Sequence, residues 1–189
     1  WSDLSSENDI NLVKGMLLEQ GFIESNISVV LNEQATTSNT MKKMDELIKA
    51  TKIAYSTTFA FYLKAHFFHF NVEGSDFLEY HDLFGKIYEE VYDSIDDFAE
   101  KIRAMGTYVP ASLSRFSMLS QVDDETNILS QDAMLVELAQ DNEKMIRLLK
   151  MVFQASEANQ EYGFSDFIAG RIDAHQKHGW MLKASLGMK

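Results

Sequence analysis

The chain has 189 residues, enough for one well-buried domain, with 29 acidic against 17 basic residues and a formal net charge of −12. It has no cysteine, which excludes a disulfide scaffold and thiolate ligation, so any metal must be held by imidazole and carboxylate, a set that suits iron, manganese or zinc. Such a charge repels nucleic-acid phosphate unless basic residues cluster, and the densest cluster, Lys42, Lys43, Lys49 and Lys52, is interrupted by Asp45 and Glu46 and reads as a solvated helix face. No apolar run approaches the ~20 residues of a bilayer span and no signal-peptide pattern opens the chain, so a soluble cytoplasmic protein without a membrane partner is expected.

Residues 1–35 read as an N-terminal extension and residues 36–189 as the main domain. In the extension, Ile10, Val13 and Leu17 suggest a short amphipathic helix ending at Gly21, and 24–33 reads as a second. From 40 to 72, Met44, Leu47, Ile48, Thr51, Tyr55, Thr58, Phe61, Tyr62, Ala65 and Phe68 keep one helical face apolar. Gly74 breaks that helix, and Ser75 is placed to cap the next. The second helix carries Phe84, Ile87, Tyr88, Val91, Ile95, Phe98 and Ile102 and stops at Gly106. A turn-rich stretch, 107–129, surrounds Pro110 and contains a short apolar piece, 113–119, of one or two helical turns. The third helix, 130–159, turns Leu135, Leu138, Met145, Leu149 and Val152 inward. Gly163 separates it from a fourth, 165–186, with Ile168, Ile172, His175 and Leu182 on one face. Four helices joined by a short, a long and a short link make an all-α bundle with one crossover, the ferritin-like connectivity.

On the second helix Glu89, Asp93, Asp96 and Glu100 stand four, three and four apart, within about 60° of one another around the axis. Such a stripe repels itself and requires water or a cation. The apolar face of the same helix centres roughly 140° away, so these carboxylates do not point into their own bundle. Di-iron carboxylate bundles that bind metal internally use Glu-x-x-His, and this chain has no such tetrad. An outward stripe fits a site shared between two subunits, the partner molecule supplying histidines. His66, His69 and His81 lie within sixteen residues of one another, in a chain with five histidines.

The run FYLKAHFFHFNVEGSDFLEYHDLF, followed by the acidic helix and IRAMG, resembles the Dps-type mini-ferritins, starvation-induced iron-oxidising proteins. The likeness follows helix order and link lengths over 40–187 and is specific between 62 and 106. It implies a hollow homo-oligomeric shell, a dodecamer, that oxidises Fe(II) with peroxide or dioxygen, peroxide being preferred, and stores Fe(III) inside. It also implies a ferroxidase centre across the dimer two-fold axis, built from His69 and His81 of one subunit with Asp96 and Glu100 of the other.

The position four after His81, acidic in the family, is Gly85, so the half-site of His69 with Asp96 and Glu100 is complete while that of His81 lacks its carboxylate. Phe70 stands where the family has Trp. Iron-entry pores near the start of the last helix would be lined by Glu161 and Asp166. The family often binds DNA through basic tails; the opening WSDLSSENDIN is acidic and disfavours this. The alternative function is a catalytically weakened shell that protects DNA or serves as a scaffold, with residues 1–35 as an interaction arm. His66 reads as a packed imidazole, with proton carrier or spare ligand as its other readings. His175 reads as a hydrogen-bonded core or interface residue, and Glu89 and Asp93 as solvated.

Overall fold

The computed structural model describes residues 11, 14–16, 18, 19 and 24–188, the side chains of 24–35 aside. Every regular element among them is helical: α1 (Glu24–Asn71), α2 (Phe77–Ala104), α3 (Leu113–Leu119), α4 (Gln131–Ala158) and α5 (Tyr162–Ser185). The chain divides into two compact units, Trp1–Asp45 and Glu46–Lys189. In the first, residues 11, 14–16, 18 and 19 are helical; Ile10, Val13, Leu17 and Gly21 of the expected amphipathic helix lie outside the described residues. The helix expected to begin near 40 begins instead at Glu24. The polar run 36–40 does not interrupt it, because the Thr40 hydroxyl donates to its own helix at Thr36 O (2.9 Å) rather than capping a new one.

The second unit is the bundle. Phe61, Phe68, Phe84 and Phe98 are fully buried, with Leu47, Ile87, Leu135, Leu138 and Met145 around them. Each such burial stabilises by about 1.5–3 kcal/mol. Ring contacts knit the helices together: Phe68 packs on Phe84 and Tyr55 on Phe98, joining α1 to α2, while Phe98 meets Phe164 of α5. The long link 105–130 carries α3, anchored by Phe116, whose ring stacks on Phe59 with centroids 4.2 Å apart. This is the expected all-α, ferritin-like bundle with one crossover.

Two helix boundaries differ from those expected. Asp76, not Ser75, is the N-cap of α2, without a side-chain cap bond, because Ser75 Oγ donates to Asp76 Oδ2 (2.8 Å). Gly74 is required here: its φ is +131°, and a Cβ would lie 2.6 Å from Gln131 Oε1 at the start of α4. The second difference concerns the link before α5, which was expected to break at Gly163. Gly163 is inside α5, and the break is at Gln160, with φ of +61°. Glu161 N bonds Ser156 O and Gln160 N bonds Glu157 O, a Schellman end with a non-glycine at the left-handed position. Ser130 caps α4 as its sequence position suggests, accepting from Ala133 N.

Candidate metal centre

His69 comes from the last turn of α1 and His81 from the first turns of α2, two elements that the Gly74 turn folds against each other. His69 Nδ1 lies 2.7 Å from His81 O, and His81 Nδ1 lies 2.8 Å from His69 O. A carbonyl oxygen only accepts, so both Nδ1 atoms carry hydrogen, and in the neutral ring the lone pair is then on Nε2. Metal-binding histidines are oriented by just such a second bond from the other ring nitrogen. The rings are near parallel, 23° apart with centroids separated by 3.7 Å. In-plane lone pairs of parallel rings do not converge on one ion at the roughly 2.1 Å of a metal–imidazole bond. The pair therefore suits two neighbouring ions, one per ring.

Gly85, one turn after His81, lies beneath this stack. A Cβ there would approach His69 Nδ1 to 3.3 Å and Cε1 to 3.4 Å. The absence of a side chain thus lets the His69 ring settle against α2 and also removes the carboxylate that would face the second ion.

Asp96 and Glu100 are exposed on α2, as are Glu89 and Asp93. Fifteen residues separate His81 from Asp96, about 22 Å of helix axis. Within one chain the histidines and the carboxylates are not brought together: among the described residues no three His, Asp or Glu side chains are grouped to hold a metal ion. No lysine or arginine pairs with any of the four stripe carboxylates among the described residues. Glu161 is half-buried at the N-cap of α5, and Asp166 is exposed in a groove of about 530 Å³ beside Asp93, Asp97 and Glu90.

The bundle interior is committed to other chemistry. Glu90, next to the outward Glu89 but turned inward, accepts from both Nη1 and Nη2 of buried Arg171. His178 Nε2 lies 3.4 Å from the same carboxylate, and buried His175 Nδ1 is 2.7 Å from Asn142 Oδ1. Burial would raise the Glu90 carboxyl, but the Arg171 hydrogen bonds and charge, with His178 and Lys177, hold it below the usual range. Burial lowers His178 to about 4 against the opposing pull of Glu90, and burial with the charge of Arg171 holds His175 well below the ordinary histidine value. A guanidinium already neutralises the one interior glutamate of this group, so no free negative charge invites a cation there. The sequence reading missed Glu90 and Arg171; the available signal was that Glu90 falls on the same face of α2 as Ile87 and Val91. It also missed buried Lys64, whose Nζ donates to Glu137 (2.5 Å) and Asp141 (2.7 Å) on α4.

His66 is packed, as read, but within an aromatic series: stacked on Tyr88 (4.2 Å between centroids) and 3.4 Å from the Tyr62 hydroxyl.

A ferritin-like domain model matches residues 48–188, and the chain belongs to that family. Curated relatives include the DNA protection during starvation protein of Helicobacter pylori, 31% identical over 66% of this chain and 88% of that one. DNA protection during starvation protein 2 of Bacillus anthracis is 28% identical over 77% of this chain and 97% of that one. Among solved structures, Dps from Thermosynechococcus elongatus superposes with a TM-score of 0.76 at 22% identity, covering 78% of this chain and 94% of its own. Within the ferritin-like family the chain is a Dps-type mini-ferritin.

Proposed function

We propose that this protein oxidises Fe(II) and stores the Fe(III) product, at a centre shared by two subunits of a hollow dodecamer. The observation that carries the reading is the reciprocal bonding of His69 and His81, which leaves two Nε2 lone pairs side by side. The carboxylates needed to complete such a centre face outward on α2, where a second copy can present Asp96 and Glu100 to these histidines. A two-fold contact is isologous, so one pairing builds two identical centres. The surface around the histidines suits that contact: Phe70 is 67% exposed, Tyr92 57% and Leu63 46%, an apolar patch continuous with the site. Solved Dps of Vibrio cholerae, similar in fold, is described as a member of a broad superfamily of ferritin-like diiron-carboxylate proteins.

In this reading iron is the substrate. His69 binds Fe(II) through a neutral nitrogen, and Asp96 and Glu100 stabilise the extra positive charge of the ferric product. His81 holds a second ion weakly, since Gly85 offers it no carboxylate. Peroxide or dioxygen is the oxidant, and Glu161 and Asp166 line the entry pore, where a ring of carboxylates concentrates cations. The protein acts in the cytoplasm. Residues 1–35 form an extension to the bundle domain, and its acidic opening does not bind DNA. Gly85 also favours the second reading, a shell whose catalysis has weakened. Fe(II) titration of the assembled protein, with oxidation followed after peroxide and after dioxygen, tests the proposal. One tight ion per centre with faster oxidation by peroxide is expected. Absence of saturable iron binding would refute it.

A further inference from the structure

The aromatic residues beside His69 form an ordered series that reaches beyond its hydrogen-bond partners. Tyr88 of α2 meets the His69 ring edge-on, with centroids 5.1 Å apart at 68°. His66 stacks on the other side of the series, 4.2 Å from Tyr88 at 27°. The Tyr62 hydroxyl, one turn earlier on α1, lies 3.4 Å from His66 Nδ1. Phenol, imidazole and phenol are thus in contact from Tyr62 to His69, while Tyr92 touches Tyr62 alone among these, at 5.3 Å. Packing by itself asks for neither the two hydroxyl groups nor the imidazole nitrogen, since phenylalanine fills the same space.

We propose that Tyr62, connected through His66 and Tyr88, is an electron donor to iron held at His69, and that it supplies the second electron when a single Fe(II) occupies the centre. The proposal rests on the ferroxidase reading above. Hydrogen peroxide needs two electrons to become two waters, and one Fe(II) supplies only one. A one-electron cleavage of the O–O bond would release hydroxyl radical. With Tyr62 as second donor the balance closes: Fe(II), the Tyr62 phenol, hydrogen peroxide and one proton give Fe(III), a neutral phenoxyl radical on Tyr62 and two waters. The O–O bond breaks, iron and phenol are each oxidised by one electron, and the phenolic proton passes to His66 Nδ1, from which it enters the water formed or the solvent. Burial, with Tyr92 and Tyr88 nearby, holds the Tyr62 phenol above its usual range, so it keeps its proton until the electron leaves. The half-empty second site left by Gly85 makes single-ion occupancy the common state, which is when such a donor matters.

The test is freeze-quenched electron paramagnetic resonance of the assembled protein, loaded with one Fe(II) per subunit and mixed with hydrogen peroxide. A phenoxyl signal is expected in the parent protein and in Tyr92→Phe, and is expected to be lost in Tyr62→Phe. Spin-trapped hydroxyl radical should rise in Tyr62→Phe, whose ring packing is retained. A parent protein without the signal, or a signal undiminished in Tyr62→Phe, overturns the relay. Fe(III) absorbance on the same samples separates the two ideas. Fe(III) without a radical removes only the relay, whereas no Fe(III) at all removes the ferroxidase reading and the relay with it.

Discussion

His69 and His81 each donate Nδ1–H to the other's backbone carbonyl, at 2.7 and 2.8 Å, with their rings stacked 3.7 Å apart. The acceptors belong to the main chain, so deleting one ring does not release the other. His81→Ala should therefore keep one tight ion per centre and lose the weak one, whereas His69→Ala should lose the tight ion. The expected weakening in His69→Ala is at least about tenfold, the scale on which even supporting partners of metal ligands act. Calorimetric titration of iron into both variants checks this. Equal losses in the two would contradict the division of labour.

Gly85 sets opposed effects against each other. A side chain there gains about 1 kcal/mol of helix propensity but meets the His69 ring at 3.3–3.4 Å, a contact that displaces the ring by a few tenths of an ångström. Gly85→Ala should leave stability nearly unchanged and weaken the tight site. Gly85→Asp carries the same crowding but adds the missing carboxylate, so it should strengthen the second ion and speed oxidation by peroxide. Stopped-flow kinetics of the three proteins side by side would decide it. If aspartate performs no better than alanine, the second half-site needs something other than a carboxylate.

Acid should act through the buried histidines. His178 is lowered by burial to about 4 and His175 is also held low, so the folded state resists their protonation while the unfolded chain accepts it near pH 6.5. Their contribution is intact above about pH 6.5 and is lost as pH falls toward 4. For His178 alone the loss is on the order of 3 kcal/mol. The lowered Glu90 adds a further loss at the acid end, as pH drops through the carboxylate range. Melting temperature should fall across this window, and His178→Gln should flatten the fall. A profile identical to the parent's would show that His178 is not the titrating group.

Assembly can be probed at Phe70. A carboxylate in place of this exposed ring would sit in the apolar patch beside the histidines. Phe70→Asp should break the two-fold pairs and reduce iron oxidation together, while melting of the separated bundle changes little. Sedimentation velocity gives the first quantity; a parent protein that sediments as a stable monomer would argue against a shared centre altogether.

Helix identity and order were legible in the sequence because apolar spacing is a local signal, and Leu135, Leu138, Met145, Leu149 and Val152 are all buried as their period implies. The histidines were legible because they stand beside an aromatic run. What stayed hidden depends on contacts between distant residues. Ser75 satisfies the rule for a cap yet bonds Asp76, and Gly163 satisfies the rule for a break while Gln160 makes it. Glu90 is indistinguishable from Glu89 in composition; only Arg171, eighty-one positions on, reveals its different role. A centre shared between molecules is legible in one chain only as two incomplete halves.

The Glu90–Arg171 pair also constrains what this fold can become. A bundle that recruited metal to its interior would first have to discard the guanidinium, and that single change strands a half-buried carboxylate against two histidines that resist protonation. Replacing Glu90 first strands the arginine instead. Breaking such a pair from one side costs about 3–5 kcal/mol, a large share of a domain's whole stability. Every one-step path from the present arrangement to an internal metal centre therefore descends through a poorly folded ancestor, and chemistry on the outer face is the accessible direction for variation.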